Sequence, residues 1–189
     1  IRVLVDALNQ LGARIGYLEN EGFPPLEIYG SRLVGGSIDI PASVSSQYIS
    51  ALLMIAPYME KGLEIRLTGK VVSNSYIDMT LQIMREFGAE VGREDAVIRV
   101  KPGEYRPVPY RVESDWSAAS YFYELLAIAG EGEIVLTGLT GESMQGDSRQ
   151  VAVWKRLGVQ TCYEGEEVRL SATGPEVRRL DYDFVEMPD

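Results

Sequence analysis

The sequence predicts an α/β (α+β) protein made of repeated β-α-β-α-β-β units, with apolar helices inside and sheets outside. Similar strings recur along the chain: LNQLGA, MREFGA and WKRLGV begin at Leu8, Met84 and Trp154, while EIRLTG and EIVLTG begin at Glu64 and Glu133. The intervals are 76 and 70 residues for the first string and 69 for the second. Each repeat also pairs a nearly all-apolar helix with an amphipathic one, which favours a shared helical core. A simpler layered α/β fold remains the alternative.

The first complete unit is predicted at residues 36–103. GSIDIPAS alternates like a strand and is followed by a helix at 45–59 that is apolar all round, so we expect it to be buried on all sides. Pro57 is expected to end that helix early. The unit continues with EIRLTG as a strand, an amphipathic helix at 76–88, and AEVGRE and AVIRV as a strand pair.

The second complete unit is predicted at residues 104–174. Its elements are a strand YRVESD, a nearly all-apolar helix at 117–129, the strand EIVLTG, an amphipathic helix at 147–158, and the strands VQTCYEG and EEVRLSA. Asp115 or Ser117 is the expected cap of the first helix and Asp147 that of the second. We interpret these carboxylates as structural, since they would repel an anionic ligand.

Both ends of the sequence suggest a fragment of a longer protein. The chain begins at Ile1, without methionine and already in helical periodicity. Residues 1–35 are expected to be the end of an incomplete unit. The chain is therefore predicted to be a fragment, a hypothesis that the intact mass of the natural protein would test.

Composition excludes several classes of protein and site. The net charge of −10 argues against a nucleic-acid surface, and the 46% of hydrophobic residues argue against disorder. Histidine is absent, which excludes a histidine-based triad or metal site, and the lone Cys162 allows no internal disulfide. No apolar run reaches the roughly 18–20 residues of a membrane span. We expect a cytoplasmic protein.

Two polar clusters each follow a strand and open a helix. The first is SVSSQY at 43–48, and the second is KVVSNSYID at 70–78. Unpaired N–H groups and the dipole at a helix start attract anions, and Ser45, Ser46 and Gln47 would add side-chain donors. Helix capping and turn formation explain the same residues without any ligand, so both interpretations stand at this point.

Taken in order, four blocks resemble the 5-enolpyruvylshikimate-3-phosphate synthase family. They are SVSSQYISALLMIAP, KVVSNSYIDMTL, VESDWSAASYF and SMQGD, and the similarity runs along essentially the whole chain. The resemblance implies an inside-out fold of six β-α-β-α-β-β units in two domains. It also implies that this chain is a single-domain fragment, with residues 175–189 as the start of the crossover to the missing second domain. It also implies transfer of the enolpyruvyl group from phosphoenolpyruvate to the 5-hydroxyl of shikimate 3-phosphate, without a metal or organic cofactor.

The resemblance assigns substrate contacts but no catalytic residue within this chain. Ser45, Ser46 and Gln47 match contacts to shikimate 3-phosphate, Gln47 also matches a contact to phosphoenolpyruvate, and Ser73 and Tyr76 match a second contact loop. The family's proton-transfer residues and most anion-binding cations would lie outside the 189 residues, which would leave the fragment inactive alone. The remaining alternatives are the related transferase acting on UDP-N-acetylglucosamine and a non-catalytic repeat scaffold.

Overall fold

The computed structural model of the chain describes residues 1–69, 74–165, 167–177, 179–184 and 187. These residues form two compact units, Ile1–Pro109 and Tyr110–Asp189, which we describe separately. The division falls close to the predicted boundary between the two complete repeats. That the chain is a single-domain fragment stays a prediction, because repeats within one domain can each be compact.

The first unit contains the predicted order of helices and strands. After α1 (Arg2–Gln10) come the antiparallel strands β1 (Arg14–Tyr17) and β2 (Leu26–Tyr29), which close the incomplete repeat. The complete repeat consists of β3 (Gly36–Pro41), α2 (Ser46–Ile55), β4 (Leu63–Thr68), α3 (Asn74–Glu86), β5 (Val91–Glu94) and β6 (Val97–Val100). The β-α-β-α-β-β prediction is confirmed for this unit.

The sheet of the first unit has the order β3-β4-β6-β5. β3 and β4 run parallel, from Gly36 opposite Leu63 to Pro41 opposite Thr68, and the other pairs are antiparallel. Side chains alternate between a buried and a more exposed face along both strands. The buried face packs on the helices, in a core that includes Ile38, Ile40, Leu52, Leu53, Ile65 and Leu81. One sheet face and one face of each helix thus form a two-layer core.

The second unit repeats most of this arrangement. Its elements are α4 (Trp116–Ala129), β7 (Glu133–Thr137), a 3₁₀ turn (Gly146–Arg149), α5 (Gln150–Arg156), β8 (Val159–Glu164) and β9 (Glu167–Ala172). The antiparallel order β7-β9-β8 matches β4-β6-β5 of the first unit. Trp116 and Tyr123 are fully buried against the sheet residues Val159, Val168 and Leu170.

The predicted strand at 110–115 is wrong, because these residues adopt no strand. The Ser114 hydroxyl donates to the carbonyl of Thr137, the last residue of β7, and the Glu113 carboxylate accepts from Thr140 N–H. Val112 is 81% exposed. The segment therefore lacks a buried apolar face that would hold it along the sheet. The backbone of the segment still bonds near the end of β7, because Ser114 N–H donates to the Gly138 carbonyl at 2.7 Å. A similar bond in the first unit runs from Ala42 N–H to the Thr68 carbonyl at 2.8 Å.

The prediction that the helix at 45–59 is buried on all sides is also wrong for this chain, and the nearly all-apolar helix of the second unit is likewise exposed on one face. α4 buries Tyr123 and Leu126, yet Tyr121, Leu125 and Ile128 are 72%, 58% and 77% exposed. Met54 of α2 is exposed as well. A helix that is apolar all round can occupy a fully buried position. In this chain, however, each of the two helices packs only one face on the sheet of its own unit.

The local predictions for helix ends have mixed outcomes. Pro57 does end α2 early, since the α-helix stops at Ile55 and a 3₁₀ turn follows. Asp115 caps α4 by accepting a hydrogen bond from Ser117 N–H at 2.9 Å. The predicted cap Asp147 instead lies inside the 3₁₀ turn, where it accepts from the Ser117 hydroxyl. The Asp147 carboxylate therefore bonds to the first turn of α4 and does not cap α5.

An ionic ladder recurs on the outer sheet face of both repeats. Arg99 donates to Glu64 and to Glu94, each at 2.8 Å. Seventy residues later, Arg169 pairs with Glu133 and Glu164 at 3.4 and 3.0 Å. The Arg99 hydrogen bond holds the pKa of Glu64 below its ordinary value. Because these pairs face solvent, their contribution to the free energy of unfolding is small.

Burial of Tyr123 predicts a pH dependence of stability. Desolvation raises the pKa of Tyr123 from 10.0 to about 12, although its hydrogen bond with Thr161 (2.7 Å) lowers it slightly. The unfolded chain thus loses the phenol proton at lower pH than the folded chain. The contribution of neutral Tyr123 to stability is full below about pH 10 and is lost as pH rises towards about 12.

The expected result is that wild type loses stability between pH 10 and 12 more steeply than Tyr123→Phe does. Urea unfolding across this pH range would measure the difference. Tyr121→Phe is the control, since this exposed tyrosine lies on the same helix and should leave the pH profile unchanged. Parallel profiles for wild type and Tyr123→Phe would contradict the prediction.

Candidate functional site

The starts of α2 and α3 follow two neighbouring strands that end at the same edge of the first unit's sheet. β3 and β4 are adjacent and parallel, and their last paired residues are Pro41 and Thr68. α2 begins five residues after β3, and α3 begins six residues after β4. The hydrogen bond from Ala42 N–H to the Thr68 carbonyl, 2.8 Å, joins the two strand ends. Such carboxyl edges of parallel strands are the usual ligand positions in α/β proteins.

Ser45 is the cap of α2. Its Oγ accepts a hydrogen bond from Gln47 N–H at 3.3 Å, and its carbonyl accepts from Tyr48 N–H at 3.0 Å. The capping interpretation is thus confirmed. Ser45 and Gln47 remain exposed and Ser46 is half-buried, so all three side chains border solvent at the positive end of the helix dipole. A cap and an anion site at one helix end are compatible, because a ligand can take the donors that the cap leaves.

Tyr76 lies in the first turn of α3 and is half-buried. The negative charge of the nearby Asp78 is balanced by Arg93, which donates to Asp78 Oδ1 at 2.6 Å from β5. This ion pair reduces the repulsion that an anion near α3 would meet. Ser73, the other predicted contact residue of this cluster, lies outside the described residues, as does Lys70.

A pair of hydroxyl groups joins the two helices one turn behind these residues. Thr80 Oγ1 donates to the Tyr76 carbonyl at 2.8 Å. Ser50 Oγ lies 2.8 Å from Thr80 Oγ1. Because the single hydroxyl proton of Thr80 is used for Tyr76, Ser50 is the donor in the second bond. Sequence patterns do not reveal this link, since it joins positions 30 residues apart.

The corresponding helix start of the second unit carries different residues. Ala118 and Ala119 stand where Ser45 and Ser46 stand in the first repeat, and the cap is the carboxylate of Asp115. The Glu113 carboxylate accepts from four donors, Trp116 Nε1, Thr140 N, Ser143 Oγ and Gln145 Nε2, at 2.7 to 3.1 Å. The structural interpretation of the carboxylates is supported, although the sequence did not single out Glu113.

Gln150 connects the two helices of the second unit. Its Nε2 donates to the Trp116 carbonyl and its Oε1 accepts from Trp154 Nε1 at 2.9 Å.

Cys162 is exposed on β8. Among the described residues, none of the helices is long and apolar enough to cross a membrane, and no group of three or more potential metal-ligating side chains occurs.

Comparison with known proteins places the whole chain in one family. The family model described as EPSP synthase (3-phosphoshikimate 1-carboxyvinyltransferase) matches residues 1–189. The chain is 53% identical to 3-phosphoshikimate 1-carboxyvinyltransferase of Bacteroides fragilis over 190 residues, which are 100% of this chain and 46% of the relative. It is 41% identical to the Escherichia coli protein of the same name, with 98% of this chain and 43% of that protein covered. The chain therefore spans about half the length of these relatives.

A solved structure has the same fold. The protein is EPSP synthase from Acinetobacter baumannii, with a TM-score of 0.66 and 23% sequence identity. The match covers 92% of this chain and 40% of that one. At this identity the likeness bears on the fold, and it confirms the predicted fold class.

Proposed function

Because the chain belongs to the EPSP synthase family, we propose that the protein containing it transfers the enolpyruvyl group of phosphoenolpyruvate to the 5-hydroxyl of shikimate 3-phosphate and releases phosphate. The supporting observation is that α2 and α3 both begin beyond the same carboxyl edge of the parallel strands β3 and β4. This arrangement lets one anionic substrate touch the starts of α2 and α3 together. The alanines at the matching edge of the second unit show that the fold itself does not require serines there.

In this proposal, Ser45, Ser46 and Gln47 bind shikimate 3-phosphate, and Gln47 also contacts phosphoenolpyruvate. Ser73 and Tyr76 complete the contact from the start of α3. All five are neutral, so they bind and orient the two substrates rather than moving protons at ordinary pH. The proton-transfer groups and the cations that balance both anions would come from the rest of the protein, including its second domain. A cytoplasmic location is part of the same proposal.

The full-length protein provides the test. We expect phosphate release that depends on both shikimate 3-phosphate and phosphoenolpyruvate, without an added cofactor. Replacing shikimate 3-phosphate with UDP-N-acetylglucosamine should abolish release. Turnover with the nucleotide sugar alone would instead identify the related transferase, and failure with both acceptors would favour a repeat scaffold.

The isolated 189-residue chain is expected to release no phosphate under the same conditions. Its described residues supply contacts to the substrates but not the remaining cations and carboxylates that the proposed reaction needs. The assay should use equal molar amounts of fragment and full-length protein. Phosphate release by the pure fragment that requires both substrates would contradict this expectation.

A further inference from the structure

We propose that Ser50 and Thr80 form a positioning link that sets the distance between the two substrate-binding helix starts. This inference rests on the proposed function, because it concerns how the same site is held. The link runs from the Ser50 hydroxyl to Thr80 Oγ1, 2.8 Å, and from Thr80 Oγ1 to the Tyr76 carbonyl, 2.8 Å. It therefore ends on the backbone of a residue that the proposal places against the substrate.

The spacing of the residues makes the link relevant to binding. Ser50 lies four residues after Ser46, and Thr80 lies four residues after Tyr76, so each hydroxyl is one helical turn behind its contact residue and on the same side of the helix. A shift of α3 along or away from α2 would move Tyr76 relative to Ser46. The Ser50–Thr80 hydrogen bond crosses between the helices and opposes that shift, while the Thr80–Tyr76 bond lies within α3 and holds the Thr80 hydroxyl in place.

The two helices also border an open apolar pocket of about 340 Å³, lined by Met54, Thr80, Ile83, Met84, Phe87 and Tyr105. Because Thr80 is one of these lining residues, the Ser50–Thr80 hydrogen bond lies beside the pocket. It adds a directional contact to the apolar packing that joins the two helices.

The second unit shows that this position is used to tie helices together. Gln150 stands 70 residues after Thr80, at the same place in the repeat, and donates to the Trp116 carbonyl at the start of α4. In both repeats, the polar side chain at this position of the amphipathic helix thus bonds to the apolar helix. In the first repeat the link also reaches the proposed substrate-contact residue Tyr76, which gives it a consequence for binding.

The test uses full-length enzyme and compares Thr80→Val with Thr80→Ser. Valine keeps the shape but removes the hydroxyl, whereas serine keeps the hydroxyl. We expect Thr80→Val to raise the Kd for shikimate 3-phosphate about tenfold, equivalent to about 1.4 kcal/mol, with KM raised and kcat changed much less. Thr80→Ser should stay within about twofold of wild type. Isothermal titration calorimetry and steady-state kinetics would provide these values.

Further variants separate positioning from simple stabilisation. Ser50→Ala should resemble Thr80→Val, and the double variant should bind no more weakly than either single one, because both remove the same link. Gln82→Ala is the control, since Gln82 lies on α3 and donates a hydrogen bond to the solvent-facing Glu86. An unchanged Kd in Thr80→Val, whether or not the melting temperature falls, would overturn the link. Wild-type enzyme that fails to bind shikimate 3-phosphate would overturn the proposed function itself, and the link with it.

Discussion

Replacing Ser46 by alanine in the full-length enzyme is expected to raise the Kd for shikimate 3-phosphate by about 10- to 100-fold. Hydrogen bonds to charged groups contribute about 1.5–3 kcal/mol, and the proposed phosphate contact is of that kind. Ser46 is a better probe than Ser45, because Ser45 also caps α2 through Gln47 N–H. Removing a cap costs about 1 kcal/mol of stability, which would complicate the effect on binding.

Titration calorimetry with shikimate 3-phosphate would measure this effect, together with urea unfolding of each variant. Ser37→Ala is the matched control, since Ser37 is an exposed serine on β3 that hydrogen-bonds to Glu64 on the sheet. It should bind like wild type. Gln47→Ala should weaken binding of both substrates if Gln47 contacts both. Unchanged affinity in both Ser46→Ala and Gln47→Ala would show that this helix start serves only the fold.

Replacing Gly158 by alanine is expected to lower the free energy of unfolding by about 3–5 kcal/mol. Gly158 has φ +95, where a side chain is strained by about 1–2 kcal/mol. An added Cβ would also lie 2.5 Å from the Gly174 carbonyl carbon and 2.6 Å from Pro175 N. These are backbone atoms, so they cannot rotate aside, and relieving the overlap requires the chain after β9 to move.

Gly88→Ala is the matched control, because Gly88 occupies the same place in the other repeat. Its φ is +86, and its nearest neighbour for an added Cβ is Arg106 Cδ at 3.3 Å. An arginine side chain can move, so the expected cost is about 1–2 kcal/mol, from backbone strain alone. Urea unfolding of the full-length variants would compare the two. Equal losses would mean that the contact with Gly174 and Pro175 has no energetic consequence.

Local patterns predicted much of the fold. The β-α-β-α-β-β order of the first complete repeat and the early end of α2 at Pro57 are both confirmed. The capping role of Ser45 is confirmed as well. These features depend on residues within a few positions of one another. Side-chain alternation, a proline ring and a serine before a helix each act on the adjacent backbone, so they are readable in sequence.

Features that depend on distant parts of the chain were predicted less well. Residues 110–115 carry a strand-like pattern, but Glu113 bonds to residues about 30 positions away, and the segment forms no strand. Asp147 resembles a cap in sequence, yet it accepts from Ser117. The same holds for the candidate site. Residue types and spacing predicted the polar start of α2, whereas the Ser50–Thr80 link became visible only from the packing of α2 on α3.

The sequence by itself determined the repeat, its element order and the helix starts that carry polar groups, because each of these is encoded by local spacing. The tertiary structure decided which equivalent positions of the two repeats have different surroundings. Gly88 and Gly158 end matching helices in matching strings, but only the second lies against backbone. Likewise, the parallel pairing of β3 and β4 brought the starts of α2 and α3, which follow these strands, to one edge. Such proximity arises from contacts between residues far apart in the chain, which a local pattern does not encode.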